Sequence, residues 1–356
     1  MSNLYPNMMR ESPPLESELW DILEPYEPPR LAEDGSYIFA GRLQRDPDLA
    51  FQLLKERFRL YGYTPLLRRH RGKDLVLAVP GLSSERASSG WAVPLVLLVA
   101  TLVTTTGMGT LLAGGNPLKH AADWRLGMPF SFGLLTILGV HELGHYIAAR
   151  RHGIAVTVPY FIPVPLGLGT FGAFIQLRSP VETRRALFDV GIAGPLAGLL
   201  AAVPIFALGL TQSALTPAWG SDGLGRSLLV EALVQWIRPH GEGYAILLHP
   251  LALAGWFGLL VTGFNLLPAG QLDGGHIAQA VLGRHARWLS VLMLAALFVM
   301  GWLYWPGWFV WAFFVALTSL RQPTPLNELS SLDGSRAWVA LLGLAILTLT
   351  FTPVPF

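Results

Sequence analysis

From about residue 91 onward the chain alternates long apolar runs with short polar ones. The runs fall at about 91–113, 127–149, 186–210, 245–268, 288–304, 307–320 and 337–354. Crossing roughly 30 Å of hydrocarbon takes about 20 apolar residues in a helix, so the pattern predicts a polytopic α-helical membrane protein. Six or seven transmembrane helices are expected, because the sixth run is short and Pro306 with Gly307 allows one kinked hairpin in place of two spans. Between the second and third runs stands "VPYFIPVPLGLGTFGAFIQLRSP", apolar but interrupted by Pro159, Pro163, Pro165 and several glycines. No regular spanning helix accommodates that run. It predicts a re-entrant, β-like segment sheltered by protein.

Ahead of the first run the periodicity is that of a soluble fold. "SYIFAGRL" is strand-like, Asp46 and Pro47 open the amphipathic helix "DPDLAFQLLKERFRLYG", and "TPLLRRHRG" with "KDLVLAVPG" reads as a hairpin. A small βαββ domain is expected at 36–80. Residues 1–35 carry eight acidic residues against Arg10 and Arg30, with six prolines, and are expected to be a flexible acidic tail. "GLSSERASSG" supplies a linker at 81–90, leaving 91–356 as the membrane domain.

Composition agrees with this division. The chain is 52% hydrophobic and only 13% charged, which excludes an ordinary soluble domain and makes the lipid bilayer its first partner. There is no cysteine, so no disulfide, and the sequence opens on no short signal peptide. A net charge of +2 gives no reason to expect nucleic acid as a partner. The basic residues instead flank the apolar runs: Arg68, Arg69 and Arg71; Arg150 and Arg151; Arg178, Arg184 and Arg185; Arg284 and Arg287. With alternating spans all four groups share one side, which places the N-terminal domain in the cytoplasm of a bacterial-type inner membrane and the C-terminus outside. The 211–244 loop is then outside, with "SLLVEALVQWIR" as a surface helix, and Trp302, Trp305, Trp308 and Trp311 are expected in an interfacial belt.

Within the second run, "GVHELGHYIA" places His141, Glu142 and His145 in otherwise lipid-compatible helix. Histidines four residues apart project from one helix face and can grip one metal, with the glutamate placed beside them as a general base. Ionisable groups inside a membrane are costly and mark functional sites. A catalytic zinc needs a third protein ligand. His249 is expected near the outer end of its span and Asp189 at a helix N-terminus, both in structural roles. Asp273 follows "GFNLLPAGQL", where Pro268 and Gly270 break the fourth run near its inner end, at the depth expected for His141 and His145.

His141-Glu-Leu-Gly-His145, with Asn265, Pro268 and Asp273-Gly274 in the spacing NxxPxxxxDG, resembles the site-2 protease family of intramembrane zinc metalloproteases (peptidase family M50). The likeness runs through "FGAFIQL" and "AGPLAG" and covers a catalytic core at about 127–283. It implies one Zn2+ held by His141, His145 and Asp273, Glu142 activating water, and Asn265 holding substrate or the developing oxyanion. The 124 positions from His141 to Asn265 leave no room for the PDZ domain many members insert, so the bacterial and plastid branch lacking it is the nearest likeness. It implies transmembrane proteins as substrates. "AGPLAG" is expected to allow close helix packing near the site, and "GTFGAFIQL" to offer a strand edge to unwound substrate. Two other classes stay open: a prenyl-protein endopeptidase, which lacks the NxxPxxxxDG element, and a zinc-binding membrane adaptor or transporter, which would have no need of Glu142.

Overall fold

A computed structural model describes residues 15–81, 90–217, 225–241, 243–319 and 324–355. Two compact units emerge. Of the described residues, the first combines those up to Gly81 with Pro180–Arg185 and Thr324–Ser331, and the second takes the others.

The first unit contains β1 (Leu23–Pro25), β2 (Arg30–Leu31), β3 (Tyr37–Leu43), α1 (Pro47–Arg59), β4 (Tyr63–His70) and β5 (Lys73–Pro80). Its antiparallel sheet runs β1-β3-β5-β4, with β2 also on β3. Helix α1 starts where Asp46 accepts hydrogen bonds from the Asp48 and Leu49 amides and Pro47 fixes the first turn. It buries Ala50, Phe51, Leu54 and Phe58 against Phe39, Leu67, Val76 and Ala78. The β4–β5 turn places Arg71 at φ 49° and Gly72 at φ 80°, the double left-handed turn that suits a two-residue hairpin.

Two expectations need correction here. Residues 15–35 are not a loose tail: Leu15, Leu19, Ile22 and Leu23 are buried, and Arg57 donates 2.6 Å hydrogen bonds to the Glu18 carbonyl and Asp21 Oδ1. The average composition concealed an apolar face whose acidic neighbours Glu18 and Asp21 pair with Arg57. Residues 1–14 lie outside the described residues, as does 82–89 of the expected linker. Nor does the domain end at residue 80. Leu326 and Glu328 bond the Leu67 backbone at 2.8 and 3.0 Å, extending the β4 edge in parallel, and Leu326 and Asn327 in turn donate to the carbonyls of Val181 and Glu182. Asn327, fully buried, donates to the Pro47 carbonyl and Asp48 Oδ1 and accepts from the Leu329 and Ser330 amides.

The second unit runs α2 (Ala92–Leu112), α3 (Trp124–Arg151), β6 (Tyr160–Pro163), β7 (Thr170–Phe174), α4 (Arg184–Thr211), β8 (Ala214–Pro217), α5 (Leu228–Ile237), β9 (Tyr244–Leu247), α6 (Pro250–Asn265), α7 (Asp273–Leu282), α8 (Ala286–Leu303), α9 (Gly307–Ser319) and α10 (Gly334–Thr350). Among the described residues four helical stretches are long and apolar enough to cross a membrane: Ala92–Leu112, Ala121–Arg151, Arg184–Thr211 and Asp273–Leu303. The fold is thus that of a helical membrane protein. The run expected at 245–268 is a helix only from Pro250, since Tyr244–Leu247 pairs antiparallel with Ala214–Pro217, across the connection that carries α5. Pro250 occupies the first turn, where its missing N–H is harmless, and the His249 ring accepts from the Leu251 amide.

Between α3 and α4 the chain forms the antiparallel β6–β7 hairpin. Its tip docks on α2: Thr104 donates to the Gly169 carbonyl at 2.7 Å, and a Cβ on Gly169 would fall 2.5 Å from the Thr105 Cα. The buried face of α2 is mainly threonine and glycine, with Thr101, Thr105, Thr106 and Thr110 returning their hydroxyls to carbonyls one turn back. Such residues satisfy themselves locally and allow close helix approach. Trp308 does not belong to an interfacial belt as expected: it is fully buried, stacked on Phe351 and edge-on to Phe264, and donates to the Pro353 carbonyl. Trp302 is 80% exposed.

Candidate metal centre

Three elements converge on the two histidines. Helix α3 carries His141, Glu142 and His145, all at most 7% exposed. Helix α6 ends at Asn265, the chain turns through Leu266–Leu272 with Gly270 at φ 56°, and α7 resumes at Asp273. A Cβ on Gly274 would sit 2.1 Å from the Leu266 carbonyl, so this turn closes tightly only with glycine beside the aspartate. Helix α4 is the third wall.

Asp273 reaches both rings, with Oδ2 3.2 Å from His141 Nε2 and Oδ1 3.3 Å from His145 Nε2, while the two Nε2 atoms are 3.1 Å apart. The Asn265 side-chain amide lies 3.4 Å from His141 Nε2. His145 Nδ1 is 2.7 Å from the Val190 carbonyl, which can only accept, so the proton is on Nδ1. A metal-bound imidazole is neutral, and with the proton on Nδ1 the ligand atom of His145 would be Nε2, beside a carboxylate oxygen and a second imidazole nitrogen.

Spacing gives a further test of fit. Ligand atoms about 2.0–2.1 Å from a tetrahedral zinc are separated by about 3.3 Å along each edge. The observed 3.1, 3.2 and 3.3 Å match that edge, and two imidazoles with a carboxylate are a donor set zinc accepts. These are also the described residues whose potential ligand atoms group for a metal. Glu142 stands beside the two histidines on α3 without joining the three, near Ile175, just past β7.

Two glycines of "AGPLAG" complete the centre. A Cβ on Gly194 would fall 2.0 Å from His145 Nε2, and one on Gly198 would fall 2.9 Å from His141 Nδ1. The pairs 194/198 and 141/145 have the same four-residue spacing, so each histidine ring rests on a glycine of α4. "AGPLAG" therefore gives close approach of ligand rings to a helix backbone. That pairing was legible in the matched spacing. Asp189, expected at a helix N-terminus, instead meets Arg336 and His152, and His276 Nδ1 bonds the Leu272 carbonyl at 3.0 Å.

Residues 129–301 match the family model described as Peptidase family M50. This segment is similar to the M50 peptidases. The chain also has relatives among plant proteins: "Probable zinc metalloprotease EGY1, chloroplastic" of Arabidopsis thaliana is 35% identical over 64% of this chain and 43% of its own length. "Probable zinc metalloprotease EGY2, chloroplastic" of the same plant is 30% identical over 94% of this chain and 62% of its own length. The chain thus spans between about two fifths and three fifths of the curated relatives it matches. Among solved structures, "Site-2 Protease from Methanocaldococcus jannaschii" aligns with 67% of this chain and 92% of its own at 18% identity and a TM-score of 0.33.

Proposed function

We propose that this protein is a zinc-dependent endopeptidase that hydrolyses a peptide bond in or near a transmembrane segment of another membrane protein. The observation that carries this reading is the convergence of His141, His145 and Asp273 with Glu142 beside them, on helices built for lipid. The three would hold Zn2+, and Asn265 would orient substrate. When bound, zinc supplies Lewis-acid chemistry, polarising a carbonyl and lowering the pKa of water toward about 7. Glu142 takes the proton from the attacking water and returns it to the departing amine. Val190 holds the His145 ring in the tautomer that frees Nε2, and Gly194 and Gly198 keep side chains out of the centre.

A transmembrane helix shields its own peptide bonds, so a substrate must unwind before attack and needs another backbone to pair with. The hairpin β6–β7 supplies one, because β7 pairs with β6 alone among the described strands. Its continuation at Ile175 leads to Glu142. Ile175→Pro, which removes the backbone N–H there, is expected to abolish cleavage while zinc is retained; undiminished cleavage would count against strand addition.

The central experiment compares purified wild type with Glu142→Gln in detergent, for bound zinc and for cleavage of a panel of single-span substrates. Both should carry about one zinc per chain, and only wild type should cut. Zinc in both with no cleavage by either would favour an adaptor. A chelator should abolish wild-type cleavage, and added zinc should restore it. The arginine clusters support six or seven crossings with the N-terminal domain cytoplasmic in a bacterial-type inner membrane. The chain has no cysteine, so labelling of Arg59→Cys from the cytoplasmic side and Gln235→Cys from the opposite side tests that orientation directly.

A further inference from the structure

Beyond the ligands, one group of charged side chains joins three helices just behind them. Arg336 in the first turn of α10 meets Asp189 of α4 with a two-pronged contact: Nε donates to Oδ1 at 2.8 Å and Nη2 donates to Oδ2. The same Oδ2 accepts from Nε2 of His152, the residue that caps α3, at 2.8 Å. Arg336 has its remaining nitrogen on Asp333 Oδ1 at 2.5 Å. The three partners are only about a quarter exposed, at 23%, 27% and 28% for Arg336, Asp189 and His152. A shared, half-buried, bidentate network holds geometry far better than an exposed single ion pair.

What this network holds is the turn of α4 on which the metal ligands rest. Asp189 immediately precedes Val190, whose carbonyl fixes His145. Pro195, one turn further on, has no N–H for the Gly191 carbonyl, so this stretch of α4 lacks part of its own ladder and depends more on outside contacts. A helix backbone radius of about 2.3 Å means that a rotation of about 30° displaces its atoms by about 1 Å. That is enough to break the 2.7 Å bond to His145, and Gly194 leaves no clearance for the ring to follow. Helix α10 itself lies against α4, with a Cβ on Gly343 meeting the Ile192 side chain at 3.0 Å.

We propose that Arg336, acting through Asp189 and the Val190 carbonyl, is a positioning residue for the metal ligand His145. The M50 match ends at residue 301, so the centre depends on a helix beyond the matched segment. The inference rests on the zinc-site reading above.

The test measures zinc affinity by chelator competition and the visible spectrum of the cobalt(II)-loaded protein, for wild type, Arg336→Gln, Arg336→Lys and His152→Gln. Arg226→Gln, which removes the distant Arg226–Glu231 pair, serves as the control. Arg336→Gln should weaken zinc by about tenfold, at the lower end of the effect of groups that orient ligands, and shift the cobalt bands. Arg336→Lys should recover part of the affinity, because it keeps the charge and loses the fork. His152→Gln should shift both readouts in the same direction by less, and the control by nothing. An Arg336→Gln protein that is less heat-stable but keeps wild-type affinity and spectrum would overturn the proposal, leaving the zinc site intact. Wild type that binds no zinc would overturn both readings.

Discussion

Gly194 illustrates how little freedom a single position has at this centre. A methyl group there would occupy the space 2.0 Å from Nε2 of His145, and the obstacle is a ring held from behind by Val190. Gly194→Ala is therefore expected to lose at least tenfold in zinc affinity, measured by chelator competition, while Gly198→Ala, at 2.9 Å from His141 Nδ1, loses less. Equal affinities for the two variants would contradict this account. The grouping of His141, His145 and Asp273 was legible, because histidine and carboxylate stand out in apolar sequence. The Val190 carbonyl was not, since every residue has one and only the fold chooses which of them meets a ring.

At the scale of elements the sequence was most informative where its pattern was broken. Prolines and glycines excluded a helix between α3 and α4, and a hairpin is found there. Pro268 and Gly270 marked the interruption that delivers Asp273. By contrast, α2 reads as plain lipid-facing helix, and its role in seating the hairpin tip emerges only from contacts distant in sequence. Replacing Thr104 with valine removes the donor to the Gly169 carbonyl, a loss of about 1–3 kcal/mol when the acceptor is left unpaired. Amide exchange across residues 160–174 should then quicken, with zinc content unchanged. Trp308 misled for the same reason: an aromatic in an apolar run suits an interface or a core equally well, and Phe264 with Phe351 decides for the core.

For the whole molecule, the unforeseen feature is the patchwork of the first unit. Local periodicity found α1 and three strands correctly, yet could not reveal that Pro180–Arg185 and Thr324–Ser331 complete the sheet. Asn327→Ala strips four hydrogen bonds from a fully buried position and should destabilise this unit by about 2–3 kcal/mol, read as a lowered denaturant midpoint. The Arg57 guanidinium beside Asp21 holds its carboxyl below the usual carboxylate value. Stability from that pair is present above the ordinary carboxylate value and is lost as pH falls through the lowered one. Arg57→Gln should flatten the acid limb of the unfolding curve.

The same patchwork sets a schedule for biogenesis. The sheet edge at Leu67 leaves the ribosome roughly 250 residues before the segment that covers it, which at about 5–20 residues per second is a wait of about 12–50 s. Throughout that interval the edge is open to other chains, and the membrane helices between must thread before it closes.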